Sequence, residues 1–119
     1  MSITIYHNPK CSKSRQTLSL LQEHGFQPNI IEYLKQPPSP NELKQIIAFL
    51  GYTSARDLLR TKEPEYKTLN LADKSSTEKD ILCAMHNNPK LIERPIVVKN
   101  NQAVVGRPPE NVLALIMDN

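Results

Sequence analysis

The first forty residues alternate between short apolar runs and a helical repeat. Residues 3–6 are β-branched and aromatic, which predicts a short strand, and residues 7–10 interrupt it with Asn and Pro. A helix is predicted over residues 12–24, with Gly25 as its stop signal. Residues 30–33 predict a second strand, so this part of the chain has the order of a β-α-β unit.

The following segment has the spacing of helices. Ser39, Pro40 and Glu42 match a capping box with proline at the first helical position, and residues 43–50 repeat apolar side chains at i, i+3, i+4 and i+7. A short helix is predicted after Ser54, and another begins at residue 76 or 77. We therefore expect an all-helical insert over about 39–87.

The C-terminal third returns to strands. Residues 95–98 and 103–105 flank an Asn-Asn turn, which predicts a hairpin, and a final helix follows Pro108 and Pro109. The complete order is β-α-β, the helical insert, then β-β-α. It predicts an α/β protein with a thioredoxin-like fold, a small mixed sheet with flanking helices. A length of 119 residues suits a single domain spanning 1–119.

Composition narrows the class of protein. The chain is 39% hydrophobic and 23% charged, as in ordinary soluble domains, with a net charge of +3. No basic run is dense enough for a nucleic-acid partner, whereas a mild positive charge suits a small anionic substrate. No apolar stretch reaches membrane-spanning length and the first residues do not form a signal peptide. We expect a cytoplasmic protein with no membrane partner.

Two cysteines far apart in sequence, Cys11 and Cys83, form neither a disulfide framework nor a metal-ligand pattern, so no metal site is expected. Cys11 lies between a predicted strand and a predicted helix, where free N–H groups and the helix dipole stabilise a thiolate. His7, Lys10 and Arg15 crowd the same loop. A buried, inert cysteine is the alternative. The helical spacing leaves Cys83 partly exposed, with an incidental role.

The residue three positions after Cys11 is Ser14, so the chain has Cys-x-x-Ser where a resolving cysteine would stand. An adduct on Cys11 therefore needs an external thiol. The loop also lacks the Cys-x5-Arg spacing of phosphatase-type oxyanion loops. Arg15 lies on the predicted helix, where a surface ion pair and a functional role are both open.

Three motifs in residues 6–15, 91–98 and 105–110 resemble the glutathione- and glutaredoxin-dependent arsenate reductase (ArsC-like) family, and within it the YfgD-like branch. The resemblance runs nearly end to end, including residues 54–56 and 69–73. It implies a thioredoxin-like fold with a helical insert. It also implies that Cys11 is the nucleophile, that His7 helps to keep it ionised, and that Pro95 is a cis proline.

The same resemblance assigns substrate binding to several polar side chains. Three arginines would surround the oxyanion, and the start of the helix after Cys11 would line it: Arg60, Arg94, Arg107, Ser12, Ser14 and Arg15. Guanidinium groups offer forked donors that stay charged, which suits an oxyanion. The residues themselves leave structural ion pairs open: Arg60 is near Asp57 and Glu63, and Arg107 is near Glu110.

The activity implied is reduction of arsenate to arsenite, with glutathione as cosubstrate, glutaredoxin as partner, and neither a metal nor a bound cofactor. Ser12 and Lys13 stand where the best-characterised members have Gly-Thr, which leaves open a thiol oxidoreductase acting on another substrate. A redox-sensitive regulator of the Spx type is a further alternative. Cys-x-x-Cys is frequent in those regulators and absent here.

Overall fold

The computed structural model describes residues 3–117. The chain forms two units, which we treat separately. The sheet unit comprises the chain up to Gln36 together with the chain from Arg94 onward. The helical unit is Pro37–Glu93.

The sheet unit is built on four strands: β1 (Ile3–His7), β2 (Asn29–Glu32), β3 (Ile96–Lys99) and β4 (Gln102–Val105). Their order is β2-β1-β3-β4, with β1 parallel to β2 and antiparallel to β3, and with β3 antiparallel to β4. The mixed thioredoxin-like sheet predicted from the sequence is confirmed. Tyr6 pairs with Ile96, so the residues that precede β3 lie beside the carboxyl end of β1.

One face of this sheet is covered by helices. These are α1 (Ser12–Glu23), a 3₁₀ turn (Pro109–Val112) and α5 (Leu113–Ile116). Side chains from the strands and from these helices share one apolar cluster: Ile3, Ile5, Leu21, Val97, Val112, Leu115 and Ile116. Burial of this cluster fixes α1 on the sheet, and thereby fixes the residue that begins the helix.

The predicted turns of the sheet unit are present. α1 is followed by His24 and by Gly25, whose φ of 86° is a left-handed conformation that glycine adopts without strain. Asn100 and Asn101 have φ of 51° and 62°, as a two-residue hairpin of the I′ type requires. The hairpin predicted around the Asn-Asn turn is confirmed.

The helical unit contains α2 (Pro40–Leu50), a 3₁₀ turn (Ala55–Leu58), α3 (Pro64–Thr68), α4 (Glu78–Asn87) and a second 3₁₀ turn (Pro89–Leu91). The Ser39 hydroxyl accepts from the Glu42 N–H at 3.1 Å. Thr77 and Asp80 form a complete capping box, with hydrogen bonds of 3.1 and 2.9 Å. Hydrogen bonds at the helix starts therefore set where α2 and α4 begin.

Three features depart from the predicted elements. α3 and the Pro89–Leu91 turn were not predicted, because neither has an apolar repeat, and α3 buries none of its residues. The final helix begins as a 3₁₀ turn.

Arg56 orders the segment after α3, since its guanidinium donates to the carbonyls of Leu71, Asp73 and Ser76 at 2.6, 3.0 and 3.1 Å. None of the helices within residues 3–117 has the length and apolarity that a membrane crossing needs.

Candidate active site

Cys11 occupies the N-cap position of α1. Its backbone is extended, its N–H donates to the carbonyl of Asn8 at 3.0 Å, and its side chain makes no capping hydrogen bond. The thiol is free and nearly buried, with 9% of the residue exposed. The sulfur therefore belongs to the residue that begins the helix, where the first N–H groups lack intrahelical partners and the dipole is positive.

The loop before Cys11 is held by a buried polar contact between His7 and Ser14. Ser14 Oγ lies 2.6 Å from His7 Nδ1 and accepts from the Asn8 N–H at 3.0 Å. These two contacts tie the His7 ring and the Asn8 backbone to one fully buried hydroxyl in the first turn of α1.

Burial lowers the pKa of His7 below its ordinary value of 6.5. The negative charge of Glu32 opposes that shift in pKa, and the positive charge of Arg15 adds to it. His7 is therefore neutral at neutral pH, and it makes no hydrogen bond to Cys11. His7 and Ser14 both stabilise the loop before Cys11, and the Ser14 hydroxyl is already hydrogen-bonded to protein atoms.

Arg107 approaches the sulfur from the end of the hairpin. Its NH1 lies 3.9 Å from Cys11 Sγ, and the arginine is otherwise exposed. The side chain of Asn111 donates to the carbonyls of Val105 and Arg107 at 3.3 and 3.2 Å, which fixes the turn. Among the described residues no ion pair joins Arg107 to Glu110. The guanidinium charge thus faces the thiol.

A close contact at Gly106 brings that turn against α1. The Gly106 N–H donates to the Pro95 carbonyl at 2.9 Å, and a Cβ at this position would lie 2.6 Å from Thr17 Oγ1 and 3.0 Å from Pro95 Cγ. Only a residue without a side chain fits there. The positioning roles of Thr17 and Gly106 are not evident from the sequence. The sequence signal that could have indicated this close contact is the glycine itself, which lies between β4 and Arg107.

Arg94 and Pro95 precede β3, and the strand register places them beside the carboxyl end of β1, from which the Cys11 loop departs. The Arg94–Pro95 peptide bond is cis, as is Arg107–Pro108. Nε and NH1 of Arg94 are buried without a hydrogen-bond partner among the described residues. Buried guanidinium N–H groups without acceptors are costly, and a bound anion would satisfy them.

Arg60 belongs to the helical unit and is paired with carboxylates there. Its NH1 lies 3.4 Å from Glu63 Oε2, and its Nε lies 3.3 Å from Glu93 Oε1. An isolated antiparallel bridge between Leu59 and Ile92 joins the two segments that carry Arg60 and Glu93. Of the two acids three residues away in sequence, Glu63 is an ion-pair partner and Asp57 is not. Glu93 was not identified from the sequence, since the contact joins distant segments.

The remaining predicted residues lie on α1 and α4. Ser12 is exposed, and Arg15, also exposed, donates from NH1 to the Pro9 carbonyl at 2.9 Å. Cys83 is half-buried on α4 and lines a cavity of about 680 Å³ in the helical unit. Within residues 3–117, no group of three or more His, Cys, Asp or Glu side chains is arranged to hold a metal ion.

Three comparisons with known proteins found matches over nearly the whole chain. The model of the ArsC family matches residues 6–115. The uncharacterized protein YfgD of Escherichia coli (strain K12) is 53% identical over 114 residues, 96% of either chain. An arsenate reductase of Haemophilus influenzae is 47% identical over 116 residues, 98% of this chain and 100% of that one.

Solved structures extend the likeness to the fold. An arsenate reductase from Vibrio cholerae superimposes with a TM-score of 0.94 at 54% identity, covering 96% of this chain and 97% of that one. The match of the family model spans nearly the whole chain and includes the cysteine loop and the Arg94 and Arg107 segments. This chain is a member of the ArsC family.

Proposed function

We propose that this protein is an arsenate reductase that converts arsenate to arsenite, with Cys11 as nucleophile and with glutathione and glutaredoxin as reductants. One observation carries the proposal: the Arg107 guanidinium faces a free thiol at a helix N-terminus, 3.9 Å from Cys11 Sγ. A cation in that place stabilises the thiolate and attracts an oxyanion to it.

The arginines hold the substrate. Arg107 is exposed at the sulfur, and Arg94 has two buried N–H-bearing nitrogens without acceptors, so an arsenate oxygen would complete its hydrogen bonding. The family resemblance assigns Arg60 to the same role. Charge stabilisation by fixed donors is often the largest single contribution to catalysis, and here these side chains supply it.

The chemistry begins with a substitution at arsenic. The Cys11 thiolate forms a sulfur–arsenic bond and one arsenate oxygen leaves as water, so arsenic remains pentavalent. A glutathione thiol then replaces a second oxygen, again with loss of water. A glutaredoxin thiol attacks the glutathione sulfur, a disulfide forms, and the bonding pair stays on arsenic, which becomes trivalent. Water releases arsenite and restores Cys11. The sum is one arsenate and two thiols giving arsenite, one disulfide and water.

The two electrons must come from outside the sheet unit. Ser14 occupies the position of a resolving cysteine, and its hydroxyl is engaged by His7 and Asn8. Cys11 is the cysteine of the sheet unit, and Cys83 belongs to the helical unit. An external thiol therefore completes the cycle, and no bound cofactor is required. A reducing cytoplasm would supply that thiol and keep Cys11 free.

The relatives support the substrate. Proteins of Haemophilus influenzae and Vibrio cholerae that match this chain nearly end to end are arsenate reductases by name. Glutathione and glutaredoxin follow from the family resemblance and from the missing resolving cysteine. His7, which is neutral and bonded to Ser14, contributes by ordering the loop that presents Cys11.

Protection against alkylation tests the proposed site directly. Arsenate is expected to slow carboxamidomethylation of Cys11 in a concentration-dependent way, with modification mapped by mass spectrometry. Cys83 in the same chain is the internal control, and its labelling should not change. Arg107→Ala should abolish the protection. Equal labelling of Cys11 with and without arsenate would contradict the proposal.

A further inference from the structure

The cavity of about 680 Å³ in the helical unit lies between α2 and α4 and is closed at one end by the loop after α2. Its volume falls within the range of small-molecule sites. None of the residues assigned to catalysis or to arsenate binding lines it. We call this cavity the α2–α4 groove, and the reductase chemistry makes no use of it.

Hydrogen bonds at both ends hold the two helices of the groove together. At the start of α4, Glu78 Oε2 accepts from the Ser54 hydroxyl at 3.1 Å, and Oε1 accepts from the Ala55 N–H. In the last turn of α4, His86 Nδ1 lies 2.9 Å from the carbonyl of Pro38, just before α2. The helices are therefore antiparallel, and the groove between them is formed before any ligand binds.

The floor of the α2–α4 groove is apolar. Ile47 and Leu82 line it and are largely buried, with 7% and 9% of each residue exposed. Ala48 and Cys83 also line it, and their small side chains leave the space between the helices open. Because water gains little from contact with such a surface, the floor favours a ligand with an apolar body.

Two exposed lysines, Lys44 on α2 and Lys79 on α4, supply positive charge at this floor. Lys44 is three residues before Ile47 and Lys79 is three residues before Leu82, so each lysine is the helical neighbour of a floor residue. Among the described residues, neither lysine forms an ion pair. The two ammonium groups are thus available to a ligand.

The nearby carboxylates are already engaged by the protein. Glu78 lines the groove, but both of its oxygens accept hydrogen bonds from the segment after α2. Asp80, next to Lys79 in sequence, does not line the groove, and its Oδ2 accepts from the Thr77 N–H at 2.9 Å. The groove therefore combines an apolar floor with two unpaired cations, which complements an anion rather than a cation.

We propose that the α2–α4 groove binds a small amphipathic carboxylate, whose apolar body lies on Ile47 and Leu82 and whose carboxylate pairs with Lys44 and Lys79. An anion without an apolar body would leave the floor in water, and an uncharged apolar molecule would leave the ammonium groups without a partner. The proposal is independent of the reductase function, since it concerns a separate site in the helical unit.

The thiol of Cys83 reports directly on occupancy of the groove. Octanoate, used below its micelle concentration, should slow carboxamidomethylation of Cys83 while labelling of Cys11 in the same chain stays unchanged. Acetate at the same concentration has the charge without the apolar body and should protect neither cysteine. Octanoate that protects Cys11 as well as it protects Cys83, or that protects neither, would overturn the proposal.

Charge variants test the role of the lysines. Lys44→Gln and Lys79→Gln should each weaken octanoate binding about two- to fivefold, as expected for loss of one exposed ion pair, and the difference should shrink as salt is added. Lys67→Gln makes the same change at an exposed residue of α3 outside the groove and should leave the affinity unchanged. Calorimetry or amide chemical shifts measure the affinities.

The uncharged alcohol 1-octanol is the matched control ligand. Its binding should be the same in the wild type and in all three variants, which would show that the apolar floor is intact in each. Octanoate affinities that are equal in Lys44→Gln, Lys79→Gln and Lys67→Gln would overturn the pairing with the lysines. Self-association that buries Cys83 and is unaffected by octanoate would show that a second copy of the chain covers the groove, and would also overturn the proposal.

Discussion

Arg107 NH1 lies 3.9 Å from Cys11 Sγ, although the two residues are 96 positions apart in sequence. The contact depends on the close packing of Gly106 against Thr17 and Pro95, which sets the turn after β4 on the start of α1. A helix N-terminus and a guanidinium thus converge on one sulfur. Both favour the thiolate and both favour an oxyanion beside it.

Truncating Arg107 should impair the step at arsenic. In Arg107→Ala we expect kcat/KM for arsenate to fall about 10²- to 10³-fold, the loss typical of removing one fixed donor from a developing charge. Arg107→Lys keeps the charge but loses the planar fork, so it should recover only part of the rate. Steady-state kinetics check this. Equal rates for wild type and Arg107→Ala would remove Arg107 from the site.

His7 should make stability depend on pH. Burial lowers its pKa in the folded protein, so the unfolded chain binds a proton first as the pH falls through 6.5. The unfolded state then binds more protons than the folded state, and the free energy of unfolding decreases on acidification below that pH. The stability contributed by the neutral ring is complete above the unfolded value.

The matched variants are His7→Gln and His24→Gln, the latter at an exposed residue bonded to its own helix. Urea denaturation between pH 5 and pH 7.5 should show a shallower pH slope for His7→Gln than for the wild type. His24→Gln should keep the wild-type slope. Identical slopes in all three proteins would show that His7 is not buried as a neutral group.

Gly106 should tolerate no side chain while Thr17 is present. A Cβ would lie 2.6 Å from Thr17 Oγ1, so Gly106→Ala should cost about 1–3 kcal/mol, as overpacking does. Thr17→Ala removes the atoms that clash on that side. In a double-mutant cycle the two changes should therefore cost less together than the sum of the single changes. Additive losses would mean that the crowding lies elsewhere.

The carboxylates at Arg60 offer a test of its role. Glu63 and Glu93 together outweigh its single positive charge. If Arg60 binds arsenate, Glu63→Gln should lower the KM for arsenate about two- to fivefold at low salt, and the effect should shrink as ionic strength rises. If Arg60 is only structural, the KM will not change. Glu42→Gln, at the start of α2, is the control for loss of one acidic charge in the helical unit.

Local patterns were sufficient to predict most of the elements. The apolar repeat of α2 and its Ser39 cap placed that helix, and the Asn-Asn turn placed the hairpin. They were insufficient for α3, which is short and polar on all sides. A five-residue helix without a buried face has no period to detect, and its neighbourhood is ordered by distant contacts such as those of Arg56.

The residues of the candidate site also fall into those that local sequence predicts and those that it does not. Cys11 at a helix start follows from sequence order, because the strand before it and the helix after it are both readable. The pairing of Arg60 with Glu93 and the use of Ser14 by His7 do not follow, since each joins side chains that only the folded chain brings together. The family resemblance identified the arginines, whereas the groups that they contact are known only from the folded structure.

The most direct measurement is arsenate-dependent NADPH consumption coupled through glutathione, glutaredoxin and glutathione reductase. It should be made for the wild type, Cys11→Ser and Cys83→Ser. We expect turnover in the wild type and in Cys83→Ser, and none above background in Cys11→Ser. No turnover in the wild type, with Cys11 still readily alkylated, would contradict arsenate as the substrate. Turnover that survives in Cys11→Ser would contradict Cys11 as the nucleophile.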